Sequence, residues 1–137
     1  MTLINMQTMR YINLLDRVAR VKTRNCFIYN NTIIFAVPGD FMSKAIGNNG
    51  KNVREIQDTL GKRIKIVQEP RNEADMARFL RDVVDPIGFK SLEITDNEVI
   101  ISAGSQSKAA LLGRNKTRLI ELQLIVQNVF GKELRII

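Results

Sequence analysis

The chain has 137 residues, 45% of them apolar, which is enough to bury a core as one domain or as two small ones. One cysteine and no histidine exclude a disulfide framework or a Cys/His zinc site within the chain, and no apolar run approaches the roughly 18 residues of a membrane span. A net charge of +7 favours polyanionic partners; with no signal-peptide plan in the first ten residues, a cytoplasmic protein without metal or cofactor is expected.

Taken in order, Tyr11, Leu14, Leu15 and Val18 have helical spacing and predict an amphipathic helix from about Met6 to Ala19. Cys26 to Tyr29 reads as a short strand, with Cys26 a small buried residue. Asn30-Asn31 is a two-residue turn whose amides tolerate left-handed backbone, and Thr32 to Val37, rich in β-branched and apolar residues, completes a hairpin as its central strand. Pro38-Gly39 ends that run. Asp40 is then placed to N-cap a short helix carrying Phe41, Ala45 and Ile46 on one side. Gly47-Asn48-Asn49-Gly50 makes a tight turn, after which Val53, Ile56 and Leu60 recur at i, i+3 and i+7 and predict a second amphipathic helix capped by Gly61. Arg63 to Val67 alternates as a half-exposed strand, with Ile64 and Ile66 inward and Arg63 and Lys65 outward.

The pattern then repeats. A shift of 66 residues aligns Leu14 with Leu80, Val18 with Val84, Ile28 with Ile94, Ile33-Ile34-Phe35 with Val99-Ile100-Ile101, Gly47 with Gly113 and Val53 with Leu119, without a gap. Gly61-Lys62-Arg63-Ile64 recurs as Gly131-Lys132-Glu133-Leu134 at a shift of 70, so the last helix is about one turn longer. A period this long indicates a duplicated α+β domain rather than a solenoid repeat. The boundary falls near Pro70, with domains over residues 1–69 and 70–137, and so short a connector predicts a packed tandem. Ile120 and Leu124 lie opposite the main apolar face of the last helix, where the first copy has Arg54 and Asp58. They are expected to face the other domain or a partner, a buried role within their own domain being the alternative.

Charge is unevenly divided between the copies. Residues 1–67 hold 11 Lys/Arg against 4 Asp/Glu, whereas residues 68–137 hold 10 of each. Within the second half, Lys108, Arg114, Lys116 and Arg118 cluster around Gly113, so both basic concentrations fall where a glycine turn is predicted.

Ile46-Gly47-Asn48-Asn49-Gly50-Lys51-Asn52-Val53 resembles the GxxG loop of KH domains, which clamps the backbone of single-stranded RNA. The order helix, two strands, helix, GxxG, helix, strand is similar to the type II KH fold and occurs twice. The resemblance implies two tandem type II KH domains, each a three-stranded sheet with three helices packed on one face. A tandem pair of this kind resembles the archaeal NusA family of transcription factors, and Ala45 to Arg54 is close to that family's first KH loop. The second loop departs from the pattern: in Gly113-Arg114-Asn115-Lys116 the second glycine is replaced by a lysine, whose Cβ restricts close approach. The chain also lacks the N-terminal polymerase-binding region and S1 domain of bacterial NusA, which leaves RNA polymerase as a partner by analogy alone.

The resemblance implies a monomeric factor for single-stranded RNA acting in transcription elongation or termination. The expected contacts are Lys44, Ile46, Gly47, Asn48, Asn49, Gly50, Lys51, Val53 and Arg54 in the first loop and Gly113, Arg114, Asn115, Lys116 and Arg118 in the second. The physical basis is the unpaired N–H groups and positive dipole end of the helix after the turn, glycines that admit a close backbone, and cations beside them. Bases would lie over an apolar groove of Ile46, Val53 and Ile34. Lys62, Arg63, Lys65, Lys132 and Arg135 either extend the phosphate track or are an ordinary solvated face. Phe27, Tyr29 and Phe35 fit core packing better than stacking platforms. Asp82 and Asp85 lie on an acidic helix without histidine or cysteine nearby, and no nucleotide-binding P-loop is present, so no enzyme is expected. The alternative from another class is a protein-interaction adaptor of the transcription or translation machinery, built on a KH scaffold and docking through the second copy's apolar surface.

Overall fold

In a computed structural model that describes residues 5–137, helix α1 (Met6–Ala19) opens on a reciprocal cap. Thr8 N–H donates to Asn5 Oδ1 at 2.8 Å and Asn5 N–H donates to Thr8 Oγ1 at 3.1 Å, so two otherwise orphaned donors are satisfied. The helix stops at Arg20, which takes left-handed backbone (φ 59°) and returns its N–H to Asp16 O. Strands β1 (Asn25–Tyr29) and β2 (Thr32–Val37) pair antiparallel, Phe27 opposite Ile34, through Asn30 and Asn31 at φ 51° and 58°, the two positive angles that a two-residue turn of this hand requires.

After β2, α2 (Met42–Ile46), α3 (Lys51–Leu60) and β3 (Arg63–Gln68) follow, and β3 runs parallel to β2 with Phe35 beside Ile66, giving the order β1-β2-β3. Tyr11, Leu14, Leu15 and Ala19 of α1, Ala45 of α2 and Ile56 of α3 are buried with Cys26, Ile33, Phe35, Val37 and Ile64, so the three helices share one face of the sheet. Ile66 completes this layer half-buried. Gly61 ends α3 in left-handed backbone, its N–H on Gln57 O at 2.7 Å.

Two local expectations fail in this stretch. Asp40 does not cap a helix: Gly39–Phe41 forms a single 3₁₀ turn entered from Pro38, and α2 starts only at Met42. Proline fixes the backbone one residue earlier than a side-chain cap would need. Phe41 is 46% exposed and outside the core, because the 3₁₀ turn rotates it away from the face that Ala45 buries.

The chain divides into two compact units at Pro70–Arg71. In the second, Asn72 Oδ1 accepts from Ala74 N–H at 2.9 Å to start the 3₁₀ turn that leads into α4 (Met76–Val84). Then come β4 (Ser91–Ile94), β5 (Glu98–Ser102), α5 (Ser105–Leu112), α6 (Thr117–Phe130) and β6 (Glu133–Ile136). Sheet order is β4-β5-β6, with β5 antiparallel to β4 and parallel to β6, the same plan as in the first unit. Met76, Phe79, Leu80, Val83, Val99, Ile101, Leu111, Leu122 and Val126 are among its buried residues, and Phe79 meets Phe130 edge-to-face at 5.9 Å. Helix α6 has 14 residues where α3 has 10, the extra turn expected from the changed repeat spacing.

Candidate nucleic-acid interface

Helix α2 ends where Gly47 N–H reaches Ser43 O at 2.9 Å, and Gly47 then adopts φ 81° and ψ 166°, a conformation closed to residues with a side chain. Asn49 (φ 54°) and Gly50 (φ 74°) both lie in left-handed backbone, and Gly50 N–H closes the turn on Gly47 O at 3.1 Å. Helix α3 starts directly after Gly50 with no side-chain cap, so its first N–H groups and its positive end stand at the turn.

The two glycines do different things. A Cβ on Gly47 would sit 2.9 Å from both Cγ and the backbone N of Asn52, so this glycine makes room for a neighbour inside the protein. A Cβ on Gly50 would meet only Arg54 Nη1, at 3.5 Å, which leaves that face of the backbone open from outside. Around it, Asn48, Asn49, Lys44, Lys51 and Arg54 are exposed, while Ile46 and Val53 are half-buried beneath. Arg54 Nη1 donates to the Asn49 carbonyl and holds a guanidinium over the open glycine. Lys44 Nζ stands 5.9 Å from the ring centre of exposed Phe41. Among the described residues neither Lys44, Lys51 nor Arg54 is in an ion pair, so the charge of the rim is not neutralised from within.

The second turn has the same backbone. Gly113 takes φ 72° and ψ 174°, Asn115 φ 56°, and Lys116 φ 60° and ψ 24°, with Lys116 N–H on Gly113 O at 3.1 Å. Lys116 is thus held in the left-handed conformation that Gly50 occupies freely, and its side chain stands on the side left open in the first copy. Arg114 and Lys116 are exposed, whereas Arg118 is half-buried, lies against Gly113, and donates Nη1 to Ala110 O at 3.2 Å. Of the five residues expected to contact a ligand here, Arg118 is therefore turned into the protein.

Some of the other expected contacts are turned away from a ligand. Ile34 is fully buried on the sheet face opposite Ile33 and Phe35, so it cannot floor a groove for bases; strand alternation sends it to the wrong side. Helix α3 is joined to edge strand β3 by Gln57 Oε1, which accepts from Ile64 N–H at 3.2 Å. Lys132 is only 7% exposed, its Nζ donating to Thr95 O at 2.7 Å and Asp96 O at 2.9 Å and pairing with Glu73 at 3.1 Å, and Arg135 pairs with Glu98 at 3.1 Å. Lys132 is thus held within the fold, whereas Arg135 stays exposed beside its partner. Lys62 and Arg63 are exposed and Lys65 is half-buried. Phe27, Tyr29 and Phe35 are buried, and Asp82 pairs with Arg78 at 3.3 Å within α4. Ile120 and Leu124 are 53% and 54% exposed, which excludes the buried role within their own domain. Together with Gln123, Gln127 and Leu134 they line an open groove of about 460 Å³ between α6 and edge strand β6.

Among the described residues no group of acidic, histidine or cysteine side chains could hold a metal ion, and no helix is long and apolar enough to cross a membrane. Asn52 has a place in the turn that spacing did not reveal, since its Nδ2 donates to Lys44 O at 3.0 Å.

A sheet-and-helix unit that occurs twice, with an open glycine, a helix start and, among the described residues, cations outside any ion pair at one turn, defines a small α+β module. The KH domain family model matches residues 32–112, more than half of the chain, and the chain belongs to the KH domain family. It is 21% identical over 134 residues to the "Probable transcription termination protein NusA" of Methanocaldococcus jannaschii, covering 85% of this chain and 72% of that protein. A protein of the same name from Halococcus morrhuae is 26% identical over 102 residues, covering 74% and 70%. Vigilin 1 of Schizosaccharomyces pombe is 28% identical over 111 residues, which is 80% of this chain but 8% of vigilin. Among solved structures, that of APE1850 superposes with a TM-score of 0.68 at 22% identity over 97% of this chain and 99% of its own, a likeness of fold.

Proposed function

We propose that the chain is a tandem pair of type II KH domains, residues 1–69 and 70–137, that binds single-stranded RNA and acts in transcription termination or elongation. The observation that carries RNA binding is the first turn: Gly50 is open to an incoming backbone, and Lys44, Lys51 and Arg54 rim it without acidic partners among the described residues. Phosphate oxygens would accept from N–H groups at the start of α3, and the bases would lie over Ile46 and Val53 toward β3. The type II assignment is supported by the parallel β2–β3 and β5–β6 pairs and by the helix that precedes each hairpin. The transcriptional role is supported by the name carried by the two archaeal relatives, and RNA polymerase follows as a partner on the same ground.

The test is a titration with short unstructured RNA. Neutralisation of three phosphates by the three cations of the first turn gives a log-log salt slope of about −2, from about 0.7 per phosphate. Replacing Asn48 and Asn49 by Asp puts two negative charges on the exposed tip and is expected to abolish binding with the fold intact. Normal binding by that double variant overturns the mechanism. A second reading, docking of a protein on α6, is supported by the exposure of Ile120 and Leu124; it predicts that RNA binding survives Ile120→Asp/Leu124→Asp while association with a protein partner does not.

A further inference from the structure

The two turns keep one internal bond while changing the residue that makes it. In the first copy Asn52, on the first turn of α3, donates Nδ2 to the carbonyl of Lys44 in the last turn of α2, at 3.0 Å. In the second, Arg118 stands at the equivalent place on α6 and donates Nη1 to Ala110 O, at 3.2 Å. Lys44 and Ala110 are themselves 66 residues apart, the spacing of the repeat, so an amide and a guanidinium reach the same carbonyl. In both copies the first glycine of the turn is what lets the tie pass: a Cβ on Gly47 would be 2.9 Å from Asn52 Cγ, and one on Gly113 would be 2.8 Å from Arg118 Cγ. The carbonyl belongs to the group of helix-end acceptors that α2 and α5 leave without an intrahelical donor.

We infer that Asn52 is a positioning residue for RNA binding: it ties the end of α2 to the start of α3 across the turn, and so fixes the direction in which the backbone of Asn48 to Gly50 is presented. Asn52 need not touch the ligand. Arg118 makes the same tie in the second copy, which explains why a cation beside a glycine turn is directed inward. This inference rests on the RNA-binding reading of the first turn.

The experiment compares wild type with Asn52→Ala, Asn52→Arg and Asn52→Lys in the full chain. Affinity for short unstructured RNA and its salt slope are measured, along with thermal midpoint and amide exchange at Gly50, whose N–H bonds to Gly47 O. Losing one such hydrogen bond should weaken RNA binding about three- to tenfold, with the salt slope unchanged because no phosphate contact is removed. At high salt, where added charge is screened, Asn52→Arg should restore the affinity by making the bond seen at Arg118, and Asn52→Lys should not. Wild-type affinity in Asn52→Ala, or equal rescue by Lys and Arg at high salt, overturns the inference. Should the wild-type chain bind no RNA, the functional reading fails, and amide exchange still tests the tie: faster exchange at Gly50 in Asn52→Ala that Asn52→Arg reverses supports it, and unchanged exchange overturns it.

Discussion

Replacing each glycine of the first turn by alanine separates two residues that look equivalent in a GxxG pattern. At Gly47 the backbone (φ 81°, ψ 166°) is in a region essentially restricted to glycine, and the new methyl would be 2.9 Å from Asn52. Conformational strain of about 1–3 kcal/mol and overpacking of about 1–3 kcal/mol combine to a loss of about 2–6 kcal/mol for Gly47→Ala. At Gly50 the left-handed backbone costs alanine about 1–2 kcal/mol, the stiffer unfolded chain returns about 0.4–1 kcal/mol, and nothing closer than 3.5 Å opposes the methyl. The net is about 0–1.5 kcal/mol. For a unit of this size each kcal/mol moves the thermal midpoint by roughly 4–8 °C, so Gly47→Ala should lose roughly 8 °C at the least and Gly50→Ala roughly 12 °C at the most, with Gly47→Ala losing the more. RNA affinity should not follow stability. Gly50→Ala, measured well below its midpoint, should lose about tenfold, or about 1.4 kcal/mol, because the methyl stands where the sugar-phosphate chain must approach. Calorimetry and RNA titration on the same preparations decide the matter. Equal destabilisation by the two substitutions, or wild-type RNA binding by Gly50→Ala, would refute the division of roles.

Lys116→Gly should stabilise the second unit by about 0.5–1 kcal/mol in denaturant unfolding, since it removes a left-handed side-chain residue and creates no cavity. Burial pushes the Cys26 thiol up to about 12 from 9.0, so alkylation at neutral pH should proceed only through unfolding; the thiol's contribution to stability should hold below pH 9.0 and decline as pH rises from there toward 12, because only the unfolded chain then releases the proton. Lys132→Met should cost about 1–3 kcal/mol by leaving Thr95 O and Asp96 O without their donor, while leaving RNA affinity unchanged; a parallel loss of affinity would return Lys132 to the phosphate track.

Periodicity revealed the elements whose burial it reflects. Tyr11, Leu14 and Leu15 on α1, Ile56 on α3 and Ile33, Phe35 and Val37 on β2 all lie in the first core, and the turn residues Asn30, Asn31, Gly47, Gly50 and Gly61 all take the positive angles their residue types suggest. What patterns missed depends on one side chain meeting another at a distance in sequence. Ile34 is apolar and β-branched like its neighbours, but whether its side of the strand is open or covered is a property of the assembled sheet. Lys132 and Arg135 read as surface cations because nothing local announces Glu73 or Glu98 as partners. Asn52 was legible only as a polar helix residue, since its partner is the carbonyl of Lys44, and a backbone group has no letter in the sequence. Arg118 shows the same limit in reverse: its charge suggested a phosphate, and its geometry assigns it to Ala110.

The duplication has divided its charge between two uses. In the second unit Arg135 pairs with Glu98 across the sheet, Lys132 pairs with Glu73 of the 3₁₀ turn before α4, Arg78 pairs along α4, Arg81 lies 4.1 Å over the ring of Phe89 and bonds its carbonyl at 3.0 Å, and Arg118 ties its turn. In the first unit Lys44, Lys51, Lys62 and Arg63 are exposed, and among the described residues none is in an ion pair. A cation paired with a carboxylate adds little to the external field, whereas one bonded only to a carbonyl or a ring keeps its charge, and an exposed unpaired one adds its full charge subject only to salt. The net charge of zero over residues 68–137 and the excess over residues 1–67 therefore reflect the structure as well as the composition. Placing a glycine at position 116 would open the second turn to a backbone, yet of the cations clustered around Gly113 in the sequence Arg114 and Lys108 would remain exposed while Arg118 is half-buried. If charge as well as access limits that turn, Lys116→Gly will add stability without adding RNA affinity, whereas Lys116→Gly combined with Thr117→Lys, which copies Gly50-Lys51, will add both. A gain in affinity from the glycine alone would show that access was the sole obstacle.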